Sequence, residues 1–249
     1  MLNTNYFDAI TKLYTTYFNR PADVIGHEYW QTVAVNNGGN LNAIADTFAQ
    51  SQEFLNHYSG LNSAAIVNRT YEYFFAHGPD AGGLNFWTAA LDEGRVTLGN
   101  VVKEIANSAQ GQDYRTLELK NWASARFTWE VDHYEQQFGG LFAGAVEIDA
   151  ARDWLNVIYD ENSYVHFTTN PRLRDVVLEI MYLEELGPST KSQDIAMSFE
   201  HLESVVNSSY FLSDFDNQVE SSSEIAVDSA VPHTEVEIVG TAEFAWPMV

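Results

Sequence analysis

Apolar positions in the first half of the chain recur at helical spacing, in runs broken by short polar, glycine-bearing or proline-bearing segments. Tyr6, Ile10, Leu13, Tyr14 and Tyr17 share one helix face, and Asn19-Arg20-Pro21-Ala22-Asp23 ends that helix. Tyr29, Trp30 and Val33 mark a second, short helix that stops at Asn36-Asn37-Gly38-Gly39. Asn40 then stands where an N-cap belongs, ahead of Leu41, Ile44, Ala45 and Phe48 on the apolar face of a third. The order returns further on. Val67, Tyr71 and Phe74 open it, and His77-Gly78-Pro79-Asp80 breaks it. Phe86 and Trp87 follow, and Thr97 precedes Leu98, Val101, Val102 and Ile105.

The two passages superpose at an offset of 57 positions. Tyr14, Phe18, Asp23, Gly26, Trp30, Leu41 and Ser51 return as Tyr71, Phe75, Asp80, Gly83, Trp87, Leu98 and Ser108 without a slip. A fixed offset held at so many positions means one supersecondary unit used twice. The pattern predicts a mostly α fold with a duplicated three-helix module over residues 1–130. Its copies cover about 6–60 and 63–115, and a closing helix runs to 130. Trp122, Arg126, Trp129 and His133 fall along one face of that stretch. A second helical segment is expected over 131–215, with amphipathic runs from Ile148 to Tyr159 and from Leu173 to Leu186. An acidic, extended tail is expected over 216–249. Within it, Thr234, Val236 and Ile238 belong to an alternation of strand period.

Composition narrows what such a scaffold does. With 249 residues and 45% hydrophobic side chains, the chain has enough apolar surface for one large core or two modest ones. Twelve basic residues against 35 acidic ones give a formal charge of −23, which repels nucleic acid and anionic lipid and attracts cations. Past Lys191 the formal charges are all acidic. The chain has no cysteine, so disulfides, thiolate catalysis and cysteine-zinc sites are excluded. No uninterrupted apolar run is long enough to span a bilayer, and the first residues lack the basic and apolar regions of a cleaved signal.

The chemistry-bearing residues each carry two readings. Asp23 and Asp80 follow proline-containing breaks and precede short helices, the place of a capping carboxylate. As calcium ligands they would need several further oxygens. Trp30 and Trp87 either pack in the core or stack on a sugar ring. Asp214 and Asp216, with Asn217 and Glu220, form the densest oxygen cluster and are the remaining candidate cation ligands. The seven histidines have no metal-ligand spacing, and no nucleophile elbow, phosphate loop or dinucleotide fingerprint is present. A non-enzymatic protein is expected.

The pattern Tyr14-x-x-Tyr17-Phe18-Asn19-Arg20-Pro21-Ala22-Asp23-x-x-Gly26-x-x-Tyr29-Trp30, with Ile44-Ala45-x-x-Phe48-Ala49-x-Ser51-x-Glu53-Phe54 after it, resembles the domain of unknown function 4214. Gly78-Pro79-Asp80-x-x-Gly83-x-x-Phe86-Trp87 in the second copy fits the same pattern, and Ala125-Arg126-Phe127-Thr128 is similar to that family's closing helix. The second copy departs at Ala76-His77, in place of Asn19-Arg20, and the glycine-aspartate calcium repeats that often accompany the family are absent. The resemblance implies export by type I machinery and an extracellular or cell-surface location, with the tail as an uncleaved secretion signal. It also implies a role in surface layers or adhesins. The expected partners are further copies of the chain in a lattice or filament, or surface polysaccharide or lipopolysaccharide, with calcium as the one candidate cofactor. In the assembly reading, Thr234, Val236 and Ile238 form a clasp on the next subunit. The alternative is a monomeric glycan-binding adhesin.

Overall fold

The breaks in the hydrophobic pattern are where helices end. In the computed structural model, which describes residues 6–138, 142 and 144–181, the chain is mostly helical. The first copy forms α1 (Phe7–Phe18), α2 (Val24–Asn36), α3 (Leu41–Ala49) and a short α4 (Gln52–Tyr58). The second forms α5 (Ser63–Phe75), α6 (Ala81–Asp92) and α7 (Leu98–Ser108). It then runs into α8 (Gly111–Phe138), whose start occupies the place of α4. Helices α9 (Ala145–Asn156), α10 (Glu161–Thr168) and α11 (Arg172–Met181) complete the described part. All of these lie in the unit Met1–Ser192. The expected strand with Thr234, Val236 and Ile238, the acidic cluster of Asp214 and Asp216, and the rest of the tail lie outside the described residues.

Helix starts follow from single side chains that satisfy otherwise orphaned backbone N–H groups. Asn40 accepts from the Ala43 N–H at 3.2 Å and Thr97 from the Asn100 N–H at 3.3 Å, as their positions predicted. Ser51 caps α4 and Asn62 caps α5 in the same way. At the far ends of α1 and α5 the chain turns through left-handed residues, Asn19 with φ 48° and Ala76 with φ 60°. Asparagine tolerates that region, whereas the β-carbon of alanine makes it costly.

Helix α1 is the inner helix of the first copy, packed against α2, α3, α4, α7 and α8. Phe48 of α3 is its aromatic centre, with ring centroids of Phe18, Trp30 and Tyr14 at 4.6, 5.0 and 5.2 Å. The copies meet where α3 crosses α7. A β-carbon added at Gly99 would lie 2.4 Å from that of Ala49, so only glycine permits this approach. Helix α8 crosses the division expected at residue 130 without a break. It packs against α1, α2 and α5 as well as α9, α10 and α11. Its buried Phe127 takes Trp154 of α9 at 5.0 Å between ring centroids. Thr128 donates to the Ala22 carbonyl at 3.0 Å, and Thr15 donates to Ser124 at 3.2 Å.

Candidate functional site

Tyr14, Asp23, Gly26 and Trp30 recur together because they build one local cluster. Asp23 caps α2 by accepting from the Gly26 N–H at 2.6 Å. The Tyr14 hydroxyl closes on the bare Gly26 backbone, where an added β-carbon would stand 2.3 Å from it, and it accepts from the indole N–H of Trp30. Burial pushes the Tyr14 phenol above its ordinary range, and the nearby Asp23 carboxylate adds to the effect. The second copy repeats the construction. Asp80 accepts from the Gly83 N–H at 2.6 Å, Tyr71 lies over Gly83, and Trp87 bonds to the Tyr71 hydroxyl. Tyr14 meets Phe18, and Tyr71 meets Phe75, edge to face at 5.4 and 5.2 Å.

What surrounds the two clusters differs. Beside the first, buried Arg20 holds Glu53 with two hydrogen bonds of 2.7 and 3.1 Å and stands 3.6 Å from Asp23. Arg152 of α9 joins the same Glu53 at 3.3 Å, and Asn156 accepts from Asn19 at 2.9 Å, so α9 closes this corner. Beside the second, His77 stands where Arg20 stood. It is exposed, and its bond to the Gly78 carbonyl, followed by its 2.9 Å bond to Asp113, raises its pKa.

The outward side of each cluster is aromatic. Tyr29 is 59% exposed and meets the half-buried Trp30 edge to face at 4.9 Å and 79°. Phe86, its counterpart, is 57% exposed and meets Trp87 at the same distance and angle. Two copies thus present the same aromatic couple, of which packing accounts for the tryptophan and leaves the neighbouring ring in solvent. The sequence marked Trp30 and Trp87. Tyr29 and Phe86 passed as ordinary apolar positions, although an aromatic residue at both equivalent places was the available signal.

Asp23 and Asp80, the two described candidate metal ligands, sit at separate helix starts with capping bonds. Among the described residues no group of three or more histidine, aspartate and glutamate side chains is placed to hold a metal. No described helix is long and apolar enough to cross a membrane. Two buried basic groups escaped sequence reasoning. His27 lies between the Phe7 carbonyl, Thr11 and Gln31, and burial lowers its pKa to about 4. Lys120 is fully buried on α8, donates to the Tyr73 carbonyl at 2.7 Å, and is lowered to about 7 by desolvation alone.

This is an all-helical architecture among the described residues, organised on an internal duplication whose repeated residues are caps, close approaches and aromatic contacts. Residues 3–58 and 45–113 each match the model of the family described as a domain of unknown function (DUF4214). The second match begins within α3 and shares residues 45–58 with the first. No curated protein and no solved structure matches the chain.

Proposed function

We propose that the chain is a non-enzymatic, exported cell-surface protein that assembles with copies of itself or attaches to the bacterial surface through its helical modules. The observation carrying this reading is the duplicated couple in which Tyr29 and Phe86 stand exposed beside half-buried Trp30 and Trp87, at equivalent places of two modules. Exposed rings beside a polar surface gain free energy when a partner covers them. Duplication gives two such contacts on one molecule, and linked contacts raise avidity without strengthening either one. A charge of −23 opposes close approach of like copies, and calcium or other cations at the surface offset that repulsion.

Electron microscopy of the purified chain with and without calcium tests the proposal. Ordered sheets or filaments are expected when the cation is present, and an inert monomer under every condition would refute assembly. The half-buried Trp30 and Trp87 beside exposed rings favour a second reading, a monomeric glycan-binding adhesin. Tryptophan fluorescence that shifts on addition of surface polysaccharide to a monomeric protein supports that reading. Fluorescence that stays unchanged contradicts it.

A further inference from the structure

Helix α8 is packed on most sides, yet the side it leaves to solvent is aromatic. From Asp113 to Gln136, the exposed positions of α8 are Tyr114, Trp122, Arg126, Trp129, His133 and Gln136. At about 100° per residue these fall on one stripe. Trp122 is 43% exposed and Trp129 is 49% exposed. Each ring is held from its own side. Arg115 lies 4.8 Å over Trp122 with Tyr164 at its edge, and Phe7 lies 6.0 Å from Trp129. The indoles are therefore fixed in place before any partner arrives, which lowers the entropy cost of covering them.

The order along the stripe is self-complementary. Glu118, Trp122, Ala125 and Trp129 follow one another at gaps of four, three and four, the spacing of a helix–helix seam. A two-fold axis between Ala125 and Arg126, with α8 antiparallel to α8 of a second copy, sets Trp122 opposite Trp129 of that copy. It also sets Glu118 opposite His133. Each indole meets an indole, and each carboxylate meets an imidazole that can donate to it. Ala125 and the exposed Arg126 flank the axis, so the small side chain of one copy faces the long one of the other where the helices come closest.

We propose that the exposed α8 stripe is an isologous interface for a second copy of this chain, with Trp122 and Trp129 as its anchors and Glu118 and His133 as its matched polar pair. The proposal rests on the assembly reading and supplies one of the contacts that reading requires. Half of four indole surfaces amounts to roughly 400 Å². That area and its flanking side chains belong to the weak, transient class below about 1,200 Å², as suits a reversible assembly contact.

The full chain contains no cysteine, so one introduced thiol reports on the contact. Ala125→Cys places a thiol beside its own copy across the axis and should give a disulfide-linked dimer under mild oxidation. Asn42→Cys on the exposed side of α3, outside both proposed contacts, should give no cross-link above background. Sedimentation should show concentration-dependent dimers that Trp122→Ser weakens at least tenfold. Glu118→Lys should weaken them several-fold, and adding His133→Glu should restore them, an outcome no misfolded variant would give.

Cross-linking of Ala125→Cys no better than Asn42→Cys overturns the proposal. So does a monomer at all concentrations, or a stripe that binds polysaccharide while the protein stays monomeric. If sheets still form without α8 dimers, the α8 interface falls and the assembly reading stands. If the α8 dimer forms in a protein that never assembles further, the interface stands and the lattice reading falls.

Discussion

At the scale of single residues, the repeat is explained by what each member touches. Asp23 and Asp80 recur because a helix start needs a cap, and Gly26 because the Tyr14 hydroxyl occupies the space of a β-carbon, with Tyr71 crowding Gly83 less tightly at 3.1 Å. These roles were partly legible. Asn40 and Thr97 announced themselves as caps by standing just before apolar periodic runs. Lys120 and His27 did not, since burial of a basic group depends on helices distant in sequence.

Their titration makes stability depend on pH. Unfolded, Lys120 would hold its proton up to about pH 10.4, but folded it releases it near pH 7, so the unfolded state binds more protons between those values. Stability should therefore rise with pH across that window, by at most about 1.4 kcal/mol per unit from this group. Denaturant titrations of Lys120→Met should lack that contribution. An unchanged slope would contradict the burial of the ammonium group. His27 acts at lower pH, where stability present above about pH 6.5 is lost as the pH falls towards about 4. Ala76 gives a simpler prediction. Replacing it with glycine removes the cost of a left-handed alanine and should raise stability by up to about 1 kcal/mol, read as an increase in Tm.

At the scale of helices, periodicity found the long amphipathic elements and missed short ones. Helix α4 has seven residues and α10 eight, too few for a repeat of the apolar pattern to stand out. Helix α8 was expected to close a domain at residue 130. It continues to Phe138 because no glycine or proline interrupts it before Gly139-Gly140. The docking of α9 through Arg152 and Glu53 joins residues 99 positions apart and leaves no local trace in the sequence. Gly99 tests the packing of the copies. Gly99→Val forces α7 away from Ala49 of α3 and should cost about 1–3 kcal/mol, measured by chemical denaturation. The equivalent change at Asn42, exposed on α3, should cost far less.

At the scale of the whole molecule, duplication has had unequal results. Around the first cluster the corner is closed by buried Arg20 with Glu53 and Arg152, while around the second the histidine in Arg20's place, His77, stays exposed on half-buried Asp113. The aromatic couples nonetheless survive in both copies with nearly equal exposure and the same ring geometry. On the proposed assembly reading, that contrast separates what the fold requires from what a partner would cover. The fold class was legible because local signals agreed with the helical period twice over. The exposed rings were not, because an apolar residue in a periodic run reads as core until its surroundings are known.

The most direct test of the account compares assembly of the full chain with that of Tyr29→Ser, Phe86→Ser and the double variant, by light scattering at fixed calcium and salt. Both substitutions are at exposed positions, so circular dichroism should be unchanged. The account predicts a partial loss of assembly for each single variant and a near-complete loss for the double. Variants that keep their fold and assemble like the unmodified chain would contradict it.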